Sequence, residues 1–266
     1  MATSSTKDSN SIASGEPKIV LHWLEVSRSH RILWLFEELG VPYELKTYKR
    51  TKERLAPPEL KEVHPLGKSP VVTIDIPGST APIVLVESAA IAEYFLDHYG
   101  KGSSLVPGRY QTGKDGQLGG ETESWFRYRM FMHYAEGSIM PMMLLSLIVG
   151  SIKNAAVPFF IKPVTNSVAS KIESSFLQRN FRSHYDFLEG QLATSPDDGQ
   201  YLCGPDLTAA DIMLSFPLEA GKTRSGFTQN QYPKIWAYVE RQHERDAYKR
   251  AVAKIVEIEG EFKTTL

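Results

Sequence analysis

The chain has 266 residues, 42% hydrophobic and 23% charged, enough for two globular domains with real cores. A formal net charge of −1 gives no electrostatic reason to expect nucleic acid or an anionic membrane as the main partner, which leaves a small molecule as the expected ligand. A single cysteine, Cys203, excludes an internal disulfide, a cysteine-based zinc site and a C-x-x-C redox pair, and suits a reducing compartment.

Residues 1–17, "MATSSTKDSNSIASGEP", are small and polar and lack the apolar core of a secretory signal, so they read as a disordered tail. From Lys18 the run "KIVLHWLEV" has strand character. A polar joint carrying Ser27, Arg28, Ser29 and Arg31 follows, and then Ile32, Leu35, Phe36 and Leu39 recur at helical spacing until Gly40. "PYELKT" alternates like a half-buried strand, and "TKERLAPPELKEV" is a short helical or irregular stretch interrupted by proline. "PVVTI" and "PIVLV" are hairpin strands around "DIPGSTA". "SAAIAEYFLDHY" is a helix with Ser88 as its expected N-cap, stopped by Gly100.

This order, βαβ, irregular helix, hairpin, helix, is that of a thioredoxin-like α/β domain over residues 18–101. A Gly/Ser-rich linker is expected over 102–116. Residues 117–266 lack strand patterns, and helical periodicity covers 117–150, 167–193, 208–222 and 231–258, so an all-helical bundle follows. The most apolar run, "IMPMMLLSLIVG" at 139–150, is far short of the ~20 residues of a membrane-crossing helix. No transmembrane insertion is expected, while peripheral attachment stays open.

Four segments in this order, "HWLEVSRSHRILWLFEELGVPYELKTYKR", "APPELKEVHPLGKSPVV", "VLVESAAIAEYF" and "YLCGPDLTAADIMLSFPL", resemble the cytosolic glutathione transferases, in particular the fungal, yeast-type branch with a serine in the site. The likeness runs from about Lys18 to the last helices. It implies a glutathione-binding thioredoxin-like domain followed by a helical bundle, glutathione as co-substrate without a metal, attack of the thiolate on small apolar electrophiles, and reduction of organic hydroperoxides. A detoxifying, cytoplasmic homodimer is the form the resemblance implies.

The chemistry needs a thiolate, whereas a free cysteine thiol has a pKa of about 8.5. A hydroxyl donating to sulfur at the positive end of a helix stabilises the anion. Ser27 matches the family's activating serine, with Ser29 as the alternative; taken alone, both are also good helix caps. The resemblance implies a cis peptide before Pro70, with the backbone of Ser69 pairing with the cysteinyl unit. It places Lys68 on the glycine carboxylate, and sets Glu87 and Ser88 around the γ-glutamyl group. Lys52, Arg54 and His64 are weaker candidates, and Arg28 and Arg31 read as surface or interface charges without assigned chemistry. Thr208 and Asp211 have capping-box spacing and are assigned to folding, and Cys203 reads as a packing residue. Among the aromatic and methionine residues of 124–148, each one singly is more often core. Tyr128, Tyr134 and Met140 are taken as the candidates for the hydrophobic substrate site.

Overall fold

The structure, a computed structural model, describes residues 15–263. The expected tail lies outside the described residues except for 15–17. Strand β1 (Lys18–Leu24) leads into helix α1 (Ser29–Leu39), then β2 (Glu44–Tyr48), the short α2 (Glu59–Val63), the hairpin β3 (Val71–Asp75) and β4 (Ile83–Val86), and α3 (Ser88–Tyr99). The sheet order is β2-β1-β3-β4, with β2 parallel to β1 and with β1/β3 and β3/β4 antiparallel. Leu21 is fully buried and lies opposite Val72, placing β1 at the centre of the sheet. The expected thioredoxin-like order is present.

Turn-rich chain over 100–122 leads to the helices: α4 (Glu123–Tyr134), α5 (Met140–Lys153), α6 (Lys162–Ile172), α7 (Gln178–Ala193), α8 (Ala209–Arg224), α9 (Pro233–His243) and α10 (Asp246–Glu259). Pro163 sits in the first turn of α6, where a missing N–H costs nothing, so the helix starts inside the stretch expected to be a connection. The last helical pattern is two helices, broken where Arg245 takes an extended conformation. π-helical turns join α4 to α5 over Ala135–Ile139 and α6 to α7 over Glu173–Leu177. At the first, Pro141 has no N–H for the carbonyl of Gly137, and the ladder widens around the gap.

The continuous helix Glu123–Lys153 is, by length and composition, long and apolar enough to cross a membrane, which corrects the reading of 139–150 as an isolated short run. Its Phe131, Met132, Ile139 and Met143 are nonetheless buried among α6 and α8.

Helix α1 is the keystone. Ile32 to Phe36 are all buried, so the helix has no solvent face along this stretch, and it packs on α3, α8 and α10. Its C-terminal half is clamped by charge: Arg245 makes two hydrogen bonds to Glu38 (2.5 and 2.8 Å), while Arg250 and Lys254 each donate to Glu37 at 2.9 Å. The Thr208–Asp211 box is built as expected. The Asp211 carboxylate accepts from the Thr208 N–H and hydroxyl (2.7 Å each), the Leu202 N–H (3.1 Å) and the Tyr238 hydroxyl (2.8 Å). Cys203 beside it is buried, and burial pushes its thiol well above the ordinary range, which suits packing and not nucleophilic attack.

Candidate active site

The joint between β1 and α1 is held by its neighbours. The backbone N–H of Arg50 donates to the Glu25 carboxylate at 2.6 Å, and its guanidinium donates to the carbonyls of Glu25 (3.1 Å) and Val26 (2.9 Å). Val26, a β-branched residue, sits at φ 47°, a left-handed conformation costing about 1–3 kcal/mol that persists only because the loop is pinned. The kink turns Ser27 inward to the head of α1.

Three serines meet there. Ser27 is 8% exposed, Ser29 not at all, and Ser69 8%. Ser29 is the first residue of α1 and not its cap; the cap position is Arg28, and the Ser27 Oγ accepts the Ser29 N–H at 3.2 Å. The hydroxyls of Ser27 and Ser29 lie 2.8 Å apart, and Ser29 is in turn hydrogen-bonded to Ser69. Ser69 donates to the His22 carbonyl at 2.8 Å and accepts the Leu24 N–H at 3.3 Å. Ser69 therefore does more than offer backbone: its side chain anchors the loop before Pro70 to β1.

Next to this cluster a narrow cleft is lined by Lys68, Ser69, Pro70, Glu87 and Ser88, together with Arg28 and His64. All five residues expected to hold the tripeptide meet in one place. The Ser69–Pro70 peptide is cis. Lys68 and Glu87 are exposed and, among the described residues, make no side-chain hydrogen bond or ion pair, so each is free for a ligand of opposite charge. Ser88 is the first residue of α3 and not its cap; Glu87 holds the cap position at φ 67°. At a helix start the main-chain N–H groups lack intrahelical acceptors and the dipole favours an anion.

Arg28 and Arg31 correct the sequence reading most strongly. Arg31 is fully buried and paired with Glu136, and it reaches the Ser88 hydroxyl at 3.4 Å; Arg28, a third exposed, lines the cleft and pairs with the same carboxylate. Burial pushes the Glu136 carboxyl up, but the two guanidiniums outweigh it and hold the group below its ordinary value. Burial lowers the affinity of Arg31 for its proton, against the pull of Glu136. Glu136 lies in the π-turn between α4 and α5, so the helical domain enters the site through that irregularity. The sequence did carry a signal for Arg31: it lies one turn before Leu35 on a helix with apolar residues all round.

Residues 16–97 match the family model of the glutathione S-transferase N-terminal domain and residues 173–241 that of the C-terminal domain. Glutathione S-transferase 1 of Saccharomyces cerevisiae is 32% identical over 87% of this chain and 93% of its own length. Glutathione S-transferase 3 of Schizosaccharomyces pombe is 33% identical over 89% of this chain and 88% of its own. The chain belongs to the glutathione S-transferase family. A glutathione S-transferase structure from Actinobacillus pleuropneumoniae is 31% identical with a TM-score of 0.63, covering 89% of this chain and 92% of that one. A Phanerochaete chrysosporium glutathione transferase solved with oxidised glutathione shares the fold, with a TM-score of 0.67 at 17% identity over 94% of this chain and 100% of its own.

In this glutathione S-transferase a cavity of about 440 Å³ opens on the other side of the joint, where Trp23, Val26 and Leu147 supply apolar wall. Lys49, Arg50, Arg54, Glu25 and Glu259 supply charge to the same cavity. Tyr128, Tyr134 and Met140, the sequence candidates for the hydrophobic substrate site, border neither this cavity nor the cleft. Tyr128 is buried beside Trp125, Tyr134 accepts or donates a 2.6 Å hydrogen bond with His184, and Met140 is in the core. Tyr128 and Met140 are bundle core, and Tyr134 is half-buried against His184 and Phe187 of α7. Leu147 was missed because spacing does not tell which stripe of a nearly all-apolar helix faces the cavity. Lys52 is not among the residues lining either space.

Proposed function

We propose that the protein is a glutathione transferase in which the cleft binds the tripeptide and Ser27 donates its hydroxyl hydrogen to the cysteinyl sulfur, favouring the thiolate. The observation that carries this is the convergence of Lys68, Ser69, Glu87 and Ser88 on one cleft, which the Ser69 and Ser29 hydroxyls connect to that of Ser27 at the head of α1. The charges match the ligand: Lys68 for the glycine carboxylate, Glu87 for the γ-glutamyl ammonium, and the Ser88 hydroxyl and helix start for the γ-glutamyl carboxylate. Thiolate attack on an electrophile held against Trp23, Val26 and Leu147 forms the S–C bond and releases the leaving group. With an organic hydroperoxide the same thiolate attacks the terminal oxygen, the O–O bond breaks and the alcohol leaves, and a second glutathione displaces that oxygen from the sulfenic acid as water to form the disulfide.

Ser27→Ala should lower turnover of an aryl halide by on the order of 10²-fold, as removing one donor to a developing anion does, while glutathione affinity changes little. Unchanged turnover would refute Ser27 as activator. A second reading, glutathione binding without turnover, is favoured by one observation: the Ser27 hydroxyl has a neighbour in Ser29 to which it can donate. Retention on immobilised glutathione without aryl-halide conversion would select that reading.

A homodimer in the cytoplasm completes the proposal. It is supported by the exposed apolar residues Phe126 and Met130 of α4 and Ile83 and Val84 of β4. Light scattering that returns the mass of a single chain would overturn the dimer.

A further inference from the structure

A hydroxyl has one hydrogen to donate and two lone pairs to fill, so the three-serine cluster can be solved by counting. The His22 carbonyl can only accept, which commits the Ser69 hydrogen to it at 2.8 Å. Ser69 Oγ then accepts the Leu24 N–H and, to complete its two lone pairs, the hydrogen of Ser29. With that hydrogen spent, the 2.8 Å contact between Ser27 and Ser29 leaves one direction: Ser27 donates to Ser29. Ser27 meanwhile accepts the Ser29 N–H at 3.2 Å, the first N–H of α1, and keeps one lone pair free. The resting site thus presents an acceptor, not a donor, to the sulfur.

We infer that Ser29 and Ser69 are positioning residues that set the direction of the Ser27 hydrogen, holding it inward until a charged sulfur draws it out. The inference rests on Ser27 as the activating residue. A neutral thiol meets the free lone pair of Ser27 and donates to it. On ionisation the thiol proton passes to water in the cleft, the Ser27 O–H turns, its bond to Ser29 breaks, and a bond to the thiolate forms. No covalent bond of the serines changes. The Ser29 N–H stays on Ser27 Oγ in both states, so the positive end of α1 polarises the O–H in the state where it donates. Ser29 therefore opposes thiolate formation by the strength of one hydrogen bond, which corresponds to about 0.5–1 unit in the pKa of the bound thiol.

The test is a titration of bound glutathione under saturation, by the ultraviolet absorbance of the thiolate and by the pH profile of kcat/KM. Ser29→Ala removes the inward acceptor and should lower the bound-thiol pKa by about 0.5–1 unit. Ser69→Ala acts one step further along: it releases the Ser29 hydrogen, which then has only Ser27 Oγ to donate to, and the shift should have the same sign. This second variant keeps the inference testable if Ser29→Ala does not fold. Ser27→Ala should raise the pKa. With Ser27→Ala raising it, an unchanged or raised value in Ser29→Ala or Ser69→Ala overturns the directional role alone. If Ser29→Ala raises the value and Ser27→Ala does not, Ser29 is the activator, and the underlying reading falls with the inference.

Discussion

Glu136→Gln is the perturbation that most directly tests how the helical domain holds the site. The substitution keeps size and shape and removes one charge, leaving Arg31 fully buried with its main counter-charge gone. At the separation of a contact ion pair and an effective dielectric near 20, the lost attraction is about 4 kcal/mol. Stripping one partner from a buried pair costs about 3–5 kcal/mol. Arg28, a third exposed, is solvated and adds under about 1 kcal/mol. The Nε and second terminal nitrogen of Arg31 have no hydrogen-bond partner, and the Ser88 hydroxyl at 3.4 Å and the weaker pull of the Glu219 carboxylate take up only part of the charge. A loss of about 3–4 kcal/mol is expected, or roughly 6–16 °C in Tm for a chain of this size. Urea unfolding followed by circular dichroism and tryptophan fluorescence measures it. Adding Arg31→Met to Glu136→Gln should recover about half of the loss, since the uncompensated charge is then gone. A single-variant loss under about 1 kcal/mol, or a double variant as destabilised as the sum of the two singles, would refute the buried pair as a structural requirement.

Other outcomes follow from the same geometry. Asp211→Ala should lower stability by about 3–4 kcal/mol, because the Thr208 and Leu202 N–H groups and the Tyr238 hydroxyl lose their acceptor inside the core; a shift in the urea midpoint at constant m-value checks it. His22 is pushed down to about 4 by burial and then by Lys46, so it stays neutral in the fold while the unfolded chain binds a proton near pH 6.5. With the folded pKa depressed, stability should be constant above pH 6.5 and fall as pH drops toward 4. His30 and His184 are lowered by burial in the same direction, so His22→Gln should reduce that slope without abolishing it, and an unaltered slope would remove His22 as a contributor. Ser27→Ala and Ser29→Ala should move the bound-thiol titration in opposite directions.

The fold was legible because each element of the first domain has its own punctuation. Gly40 stops α1 at φ 65°, the proline and glycine of "DIPGSTA" turn the hairpin, and the branched runs 71–75 and 83–86 are strands. The cleft residues were legible only in combination, since Lys68, Glu87 and Ser88 each read as ordinary surface or capping residues. What escaped was set by tertiary context. Arg31 looked like a polar residue in a polar turn, yet Phe216 of α8, Glu136 of the π-turn and Ser88 of α3 enclose it. The directional role of Ser69 needs the His22 carbonyl, 47 positions away in sequence. Tyr128 and Tyr134 line neither the cleft nor the cavity, and which side of a helix rich in aromatic and methionine residues faces a cavity is set by its packing partners and not by its spacing.

That change of period makes α4 and α5 one rod in two rotational phases. One surplus residue lies between them, and a residue of regular helix is worth about 100° of rotation. Deleting Gly137 would make the rod regular and force a choice. If α4 keeps its seat on α8, α5 swings by that angle and carries Met143 and Val149 out of the core. If α5 keeps its seat on α6, the Glu136 carboxylate rotates away from the two guanidiniums. The extra residue acts as a phase shifter: it lets one helix satisfy two packing partners and still aim a charge at a third, so insertions and deletions should be far less tolerated within 135–139 than substitutions are.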